Sequence, residues 1–268
     1  MNKDFEIIIV GGGPAGISTW LFLQKHAPHL AAKTLVIEKS TYPRKKLCGG
    51  GISTPGRDLL LALNFKFDFD YMPIRFLKVN IGDQNHTIPA PPGFAVVDRS
   101  TFDHAMAKEA IKRGLILHQN ESYISFERTE HGLIVQTDNG QYQVKAMVGA
   151  DGANSRVRKS LGLSEPPRLC RLLETYAYNG YENDQASEFQ TATFDFSSIN
   201  NNGLQGYTWK FPCFHNGKMG YNAGIYDSQT YPDKKRTRIK EILSDKLEEG
   251  STVFDNIFQS HPIRYFSP

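Results

Sequence analysis

The first clear hydrophobic pattern of the chain is a run of four consecutive apolar residues, Ile7 to Val10. Unbroken apolar runs of this length are typical of parallel strands that are buried on both faces. We therefore predict a strand over residues 6–10, a helix from Pro14 to about Lys25, and a second buried strand over 34–37 that ends at Glu38. Proline suits the first turn of a helix, where its missing N–H costs nothing. Strand, helix and strand within about 30 residues predict a βαβ unit.

The middle of the chain combines a long loop, short strands and one longer helix. Residues 39–57 are rich in glycine, proline and basic residues, which favours a loop. A helix is predicted from Asp98 to Arg113, with Ser100 or Thr101 as its cap and Gly114 after its end. The pattern predicts strands over 77–81, 86–88, 115–118, 122–128, 133–137, 142–144 and 146–150, and a short helix over 154–161.

Aromatic residues at alternate positions mark the chain after residue 168. We predict strands over 189–196, 207–211 and 220–225 in this part. A helix is predicted from Pro232 to about Glu249, because its apolar residues recur at helical spacing. Pro166 and Pro167 indicate a boundary just before this part of the chain.

Composition narrows the class of protein. The chain has 268 residues and a net charge of +3, which is too small to predict nucleic-acid binding. Cys48, Cys170 and Cys213 are far apart and predict neither a metal site nor a disulfide framework. No stretch approaches the roughly 18 apolar residues of a membrane span. We expect a cytoplasmic protein, and a peripheral membrane contact stays open.

A glycine-rich turn lies between the first predicted strand and helix. Gly11, Gly13 and Gly16, around Pro14 and Ala15, form a G-x-G-x-x-G pattern. The three glycines allow a tight turn, the approach of a pyrophosphate and close packing of the helix on the strand. The helix N-terminus attracts phosphate. Glu38 ends the next strand at about the spacing of 20 residues expected for a ribose-binding carboxylate. The turn predicts dinucleotide binding but does not separate FAD from NAD.

Two later segments resemble motifs of the flavoprotein hydroxylase superfamily. Residues 148–158, V-G-A-D-G-A-N-S-R-V-R, are similar to its G-A-D-G-x-x-S-x-V-R motif, and residues 98–103 are similar to its R-x-x-F-D segment. The resemblance implies FAD as the cofactor and an α/β fold. The implied fold has a Rossmann-like FAD-binding domain, 1–75 and 98–165, interleaved with a mixed β-sheet substrate domain, 76–97 and 168–268. The FAD contacts expected besides the glycine turn and Glu38 are Lys39, Arg44, Cys48, Gly49, Arg99, Asp151 and Gly152.

Residues 43–53, P-R-K-K-L-C-G-G-G-I-S, resemble the P-R-x-K-x-C-G-G loop of the geranylgeranyl reductase family. Residues 207–212, Y-T-W-K-F-P, are similar to its Y-x-W-x-F-P segment, which lines the substrate cavity. The resemblance implies reduction of isolated double bonds in an isoprenoid substrate, with FAD as hydride carrier and NADPH or NADH as electron donor. It implies a catalytic loop with Cys48, Gly49 and Gly50. It also implies that Tyr207, Trp209 and Phe211 contact the substrate.

The residues themselves leave several of these roles open. Cys48 fits a small buried thiol without chemistry as well as a proton source. The alternating aromatic residues of 207–211 fit simple core packing as well as a cavity wall. The basic run 44–46 fits FAD phosphates, a diphosphate headgroup or a solvated loop.

Two other functions also stay open. Flavin monooxygenases and halogenases share the FAD motifs, and halogenases carry a W-x-W-x-I-P segment similar to residues 207–212. The second alternative is a non-catalytic FAD-binding remnant. The superfamily has a later G-D-A-A-G motif that supports the flavin, and the chain lacks this motif after residue 168. We therefore expect the C-terminal part of the fold to be missing and FAD binding by this chain to be weak. No metal and no obligate protein partner are predicted.

Overall fold

The computed structural model describes residues 5–163, 169–179, 190–231, 233–249, 252–254, 258–261 and 263–264. The predicted boundary at Pro166 and Pro167 and the predicted helix start at Pro232 lie outside these residues. Contacts between the described residues divide the chain into two compact units. The first unit takes its residues from the ranges 1–45, 60–66 and 100–165, and the second from 46–59, 67–99 and 166–268.

The described residues form short strands with helices between them. Among these residues, none of the helices is long and apolar enough to cross a lipid bilayer. The elements in chain order are β1 (Ile7–Val10), α1 (Pro14–His26), α2 (Pro28–Ala31), β2 (Thr34–Glu38), β3 (Gly51–Ile52), α3 (Thr54–Ala62), β4 (Tyr71–Pro73), β5 (Phe76–Ile81), β6 (Gln84–Pro89), β7 (Ala95–Val97), α4 (Arg99–Lys112), β8 (Ile116–Gln119), β9 (Tyr123–Thr129), β10 (Gly132–Thr137), β11 (Gln141–Val144), β12 (Ala146–Gly149), α5 (Arg156–Ser160), β13 (Leu169–Asn179), β14 (Thr191–Asp195), α6 (Ser198–Asn202), β15 (Gly206–His215), β16 (Lys218–Asp227), α7 (Ile239–Glu249), β17 (Thr252–Phe254), β18 (Gln259–Ser260) and β19 (Ile263–Arg264).

A four-stranded parallel sheet forms the centre of the first unit, with the strand order β12-β1-β2-β8. The predicted βαβ unit is confirmed, because β1 and β2 are neighbours in the sheet and α1 lies between them in the chain. Both strands bury nearly all of their residues, which explains why their sequences are apolar without alternation. Ile17, Trp20 and Leu21 are the large buried residues of α1.

A three-stranded antiparallel sheet, β11-β10-β9, belongs to the same unit. Its buried residues Tyr123, Val135 and Val144 form one apolar cluster with Ile8 and Leu35 of the parallel sheet. The strands predicted over 122–128, 133–137 and 142–144 are therefore confirmed. The first unit has the α/β architecture that the sequence predicts.

A mixed nine-stranded sheet forms the centre of the second unit. Its main order is β17-β13-β16-β15-β14-β5-β6, and β18 and β19 also pair with β13. Strands β14 and β5 pair in parallel. The pairs β13 and β16, β16 and β15, and β15 and β14 are antiparallel. Helix α7 covers one face, where Leu243 packs in a cluster with Ile225. The other face carries an apolar cluster that includes Trp209 and Phe211.

The prediction of an unbroken loop over residues 39–57 is wrong. This segment contains β3 and the first turn of α3, and both β3 and β4 pair with β7. Such short strands are stabilised by pairing with a distant segment, which a local pattern does not report. The pairing places residues 46–59 and 67–75 in the second unit, whereas the expected domain division had them in the first.

Two helix boundaries and one strand also differ from the prediction. Helix α4 begins at Arg99, so Ser100 and Thr101 lie in its first turn instead of at its cap. Helix α7 begins at Ile239, after the non-helical residues 233–238. The long strand β13 was not predicted, because the polar pair Glu174 and Thr175 interrupts its apolar pattern.

Candidate functional site

The glycine-rich turn joins β1 to α1 in the first unit. Gly11 has a φ of 107°, and a Cβ at this position would overlap the carbonyl group of Ala150. A Cβ at Gly16 would overlap the carbonyl oxygen of Gly11. Glycine is therefore required at both positions, at Gly11 for the backbone conformation and at Gly16 for close packing of the helix on the turn.

The N-terminus of α1 has no side-chain cap. The helix begins at Pro14, and Gly13 occupies the cap position without a capping hydrogen bond. The N–H groups of Ala15 and Gly16 in the first turn and the positive end of the helix dipole therefore favour an anion here. One guanidinium nitrogen of Arg44 lies 3.5 Å from the point that a Cβ of Gly13 would occupy. The uncapped helix end and the arginine fit a pyrophosphate group.

Glu38 lies at the C-terminal end of β2 and is buried, with 6% of its surface exposed. Its Oε2 accepts a hydrogen bond from the N–H of Gly12 at 2.9 Å, and its Oε1 accepts one from the N–H of Ser40 at 3.1 Å. A carboxylate offers about four lone-pair positions. The two backbone hydrogen bonds thus fix the carboxylate beside the glycine turn and leave it able to accept bonds from ribose hydroxyls.

Arg44 links two carboxylates in the first unit. Its Nε lies 3.5 Å from Oε2 of Glu38, and its Nη2 lies 3.1 Å from Oδ2 of Asp103 on α4. The Asp103 side chain is fully buried. The sequence predicted Arg44 as a cofactor contact, but it did not predict Asp103 as the partner that holds the guanidinium.

Tyr42 is a further residue of this site that the sequence did not indicate. Its hydroxyl donates a hydrogen bond to the carbonyl oxygen of Gly12, and its ring stacks on His104 with 6.2 Å between ring centroids. Burial raises the pKa of Tyr42 to about 12, so the hydroxyl keeps its proton and remains a donor at neutral pH. The segment 42–44 therefore packs against the glycine turn.

The carboxylate of Asp151 accepts hydrogen bonds at the N-terminus of the short helix α5, whose N-cap residue is Ser155. Its Oδ2 accepts hydrogen bonds from the N–H groups of Arg156 and Val157 at 2.6 and 3.2 Å, and its Oδ1 accepts one from the hydroxyl of Ser155 at 2.6 Å. The preceding residue, Ala150, donates its N–H to the carbonyl oxygen of Val10 at 2.8 Å. The turn at Asp151 and Gly152 is thereby held next to the glycine turn, and the Asp151 carboxylate binds the N–H groups of the helix. Contact of this turn with FAD stays a prediction.

The remaining basic residues expected at the cofactor are spread over both units. Lys39 is exposed just after β2, and Lys45 is exposed at the end of the first unit's segment 1–45. Arg99 is the first residue of α4 and belongs to the second unit. In the second unit, Nζ of Lys46 lies 2.7 Å from Nε2 of His261.

The predicted catalytic loop packs against predicted substrate residues within the second unit. A Cβ at Gly49 would lie 3.2 Å from Nε1 of Trp209 and 3.2 Å from Cε2 of Phe211. The carbonyl oxygen of Gly50 accepts a hydrogen bond from the N–H of Val97 at 3.0 Å, which ties the loop to β7. Cys48 is half-buried in this loop. The structure thus brings together two segments that lie far apart in the chain.

Tyr207, Trp209 and Phe211 lie on one face of β15, as their alternation predicts. In the register of the sheet, Trp209 faces Gly224 and Phe211 faces Asn222 on β16. A Cβ at position 224 would overlap the indole ring, so glycine provides the space for Trp209. The aromatic face also includes Phe194, whose ring centroid lies 4.9 Å from that of Phe211.

Asn222 is a buried polar residue on this aromatic face, with 3% of its surface exposed. Its Oδ1 accepts a hydrogen bond from Nε1–H of Trp209 at 2.7 Å, and its Nδ2 donates one to the carbonyl oxygen of Cys48 at 3.3 Å. Asn222 was not predicted from the sequence. Its signal was an amide at an alternate position of a strand, between Gly220 and Gly224 on the same face.

A second polar group of the second unit also escaped prediction. Oδ2 of Asp98 lies 3.1 Å from the hydroxyl of Tyr176 and 3.0 Å from Nδ1 of His215, and the two rings stack with 3.4 Å between centroids. Burial, followed by the nearby Asp98 carboxylate, raises the pKa of Tyr176, so its hydroxyl stays protonated. Among the described residues, no group of His, Cys, Asp or Glu side chains is arranged to hold a metal ion.

Comparison with known proteins supports a flavin site. The family described as FAD binding domain matches residues 71–174. Digeranylgeranylglycerophospholipid reductase 2 of Methanosphaera stadtmanae is 28% identical over 226 residues, which cover 78% of this chain and 54% of that protein. The chain spans roughly half to two thirds of the length of the curated relatives that it matches first.

Two solved structures have the same fold. A geranylgeranyl bacteriochlorophyll reductase-like protein of Thermoplasma acidophilum matches with a TM-score of 0.76 and 20% identity, over 97% of this chain and 66% of the other. The flavin-dependent halogenase CmlS matches with a TM-score of 0.70 and 17% identity, over 98% of this chain and 50% of the other.

The matched domain and the parallel sheet define a FAD-binding fold of the Rossmann type. Within this class the predicted resemblance is confirmed, and the chain is similar to the geranylgeranyl reductases.

Proposed function

We propose that this protein reduces isolated double bonds of a polyprenyl chain, with hydride that passes from a nicotinamide donor by way of FAD. The packing of the Cys48–Gly49 loop on Trp209 and Phe211 carries the proposal. An unactivated alkene has no charge and no hydrogen-bonding group, so its site needs apolar and aromatic walls next to the reactive loop. The names of the similar reductases, which act on digeranylgeranylglycerophospholipids, agree with such a substrate.

The first unit has the residues to hold FAD. In this proposal the uncapped N-terminus of α1 and Arg44 bind the pyrophosphate, and Glu38 accepts hydrogen bonds from the adenosine ribose. The backbone of the Asp151–Gly152 turn lies next to the same glycine turn. When bound, FAD supplies hydride transfer, which none of the amino-acid side chains can supply.

Reduction of one double bond adds a hydride and a proton, so the site also needs a proton donor. We assign this role to the thiol of Cys48, because it is the half-buried cysteine of the loop that packs on the aromatic face. Cys213 is a poor candidate, because it is buried and burial raises the pKa of its thiol to about 12. Because polyprenyl chains of this kind belong to lipids, the proposal includes a peripheral contact with a membrane surface.

The mass of the product tests the proposed reaction. The protein is incubated without oxygen with chemically reduced FAD and a geranylgeranylated glycerophospholipid, and the lipid is analysed by mass spectrometry. The proposal predicts a gain of two hydrogens for each bond reduced. A second incubation, with air and bromide, tests the monooxygenase and halogenase alternatives. The proposal is contradicted if the incubation in air gives an oxygenated or brominated product and the incubation without oxygen gives no reduced product.

A further inference from the structure

We propose that Asn222 is a positioning residue that fixes the Cys48 loop against the indole of Trp209. The inference rests on the proposed function only in taking this loop and this face as the reactive site. Its basis is the pair of hydrogen bonds that Asn222 makes from β16, one to Nε1–H of Trp209 at 2.7 Å and one to the carbonyl oxygen of Cys48 at 3.3 Å.

The chemistry of the two partners explains why an amide occupies this position. An indole N–H can only donate a hydrogen bond, and a backbone carbonyl oxygen can only accept one. A group that bridges them must accept at one end and donate at the other, which the side-chain amide of asparagine does. A buried amide without partners would destabilise the fold, so a buried Asn222 with both ends bonded indicates a specific connection.

The neighbouring glycines hold the same parts together. Gly224 shares a face of β16 with Asn222, and its missing side chain makes room for the ring of Trp209. Gly49 follows Cys48, and a Cβ at this position would lie 3.2 Å from Nε1 of the same ring. The indole is therefore bounded by Gly224, by the Asn222 amide and by the loop. Loss of the amide removes the hydrogen bond that ties the loop to the sheet at Cys48.

The reactivity of the three cysteines tests this inference without substrate or cofactor. Iodoacetamide is reacted with the wild-type protein and with Asn222→Leu, which has a similar shape but no polar group. The modified peptides are then quantified by mass spectrometry. We expect the alkylation rate at Cys48 to rise roughly fivefold, the equivalent of one net hydrogen bond. Cys170 and Cys213 are each 1% exposed and should stay unreactive. They report general unfolding within the same sample.

A matched control and a spectroscopic readout separate positioning from mere stability. Ile225→Val removes one buried methylene group next to Gly224, and Ile225 packs in the cluster on the α7 face. This variant should leave the Cys48 rate within about twofold of the wild type. In a Trp20→Phe background, Trp209 is the remaining tryptophan, and its emission should shift in Asn222→Leu but not in Ile225→Val.

Each result of the alkylation experiment supports or contradicts the inference. An unchanged Cys48 rate in Asn222→Leu, or an equal rise at all three cysteines, overturns it. If Asn222→Leu does not fold, Asn222→Ser gives the same comparison, because its shorter side chain cannot reach both partners. Alkene reduction is measured separately. A selective rise at Cys48 in a protein that reduces no lipid supports the positioning role and contradicts the proposed function alone.

Discussion

The guanidinium of Arg44 lies 3.1 Å from the carboxylate of Asp103, and the Asp103 side chain is fully buried. Arg44 comes from the segment after β2, whereas Asp103 comes from α4. Oε2 of Glu38 lies on the other side of the same guanidinium, 3.5 Å from Nε. The arginine that we assign to the pyrophosphate is therefore held in place before any cofactor binds, which lowers the entropy lost on binding.

Asp103→Asn should destabilise the first unit strongly. Removal of one partner from a buried ion pair costs about 3–5 kcal/mol, and Glu38, 3.5 Å from Nε of Arg44, compensates the remaining charge only in part. Glu109→Gln is the matched control, since Glu109 pairs with Arg113 at 2.8 Å on the same helix but is partly exposed. That change should cost about 1 kcal/mol or less. Urea denaturation of both variants measures the difference, and equal losses would refute the structural role of Asp103.

Glu38→Ala should weaken FAD binding by about 1–3 kcal/mol, since it removes charge-assisted hydrogen bonds to the ribose. Quenching of FAD fluorescence during a titration measures the dissociation constant. Glu6→Ala removes a carboxylate that pairs with Lys33 and Lys145 in the same unit, and it should leave the affinity for FAD unchanged. Because Glu38 also binds two backbone N–H groups, unfolding without FAD is measured in parallel. An unchanged affinity in Glu38→Ala would exclude Glu38 from the site.

Tyr42 should make the stability of the fold sensitive to high pH. Burial raises its pKa to about 12, whereas an unfolded tyrosine ionises near pH 10. The raised pKa means that its stabilising effect is fully present below about pH 10 and is lost as the pH rises toward 12. Tyr42→Phe should therefore lose less stability than the wild type over this interval. Tyrosinate absorbance gives an independent check, because the wild type should have one more tyrosine ionising near pH 12. If the absorbance difference between the wild type and Tyr42→Phe appears near pH 10 instead of near pH 12, the raised pKa of Tyr42 is contradicted.

Gly49→Ala should lower kcat/KM for the lipid about tenfold or more, the equivalent of roughly 1.4 kcal/mol. A methyl group at this position would lie 3.2 Å from both Trp209 and Phe211 and would push the loop away from them. Gly51→Ala is the control from the same loop, because its Cβ would meet Phe94 at an ordinary contact distance of 3.4 Å. Steady-state kinetics of the two variants measure the effect. Equal activities would show that contact between the loop and the aromatic face does not matter for the reaction.

The elements around the glycine turn could be predicted because their causes are local. Strands β1 and β2 are buried on both faces, so each is an uninterrupted apolar run, and Pro14 marks the start of α1. The aromatic alternation of residues 207–211 likewise follows from a strand with one face in an apolar cluster. Strand β13 was missed because Glu174 and Thr175 are buried in the sheet, against their usual preference for the surface.

The partners within the two sites could not be predicted, because they are set by tertiary contacts. Asn222 and Cys48 are 174 positions apart in the chain, and only the folded sheet brings them together. Asp103 was visible as part of a motif, but its ion pair with Arg44 depends on where α4 packs. The carboxylate of Asp151 binds Ser155 and the first N–H group of α5. The spacing of Asp151 and Ser155 in the sequence is compatible with this role and equally with a cofactor contact.

The decisive measurement for the proposed reaction is alkene reduction by the Cys48→Ala variant with FAD bound. We expect the variant to bind FAD with the affinity of the wild type and to lose reduction of the geranylgeranylated lipid, while Cys170→Ala keeps both the affinity and the reduction. Cys170 is buried on β13 and serves as the matched control. Full reduction by Cys48→Ala would contradict the account and leave Cys48 with a packing role only.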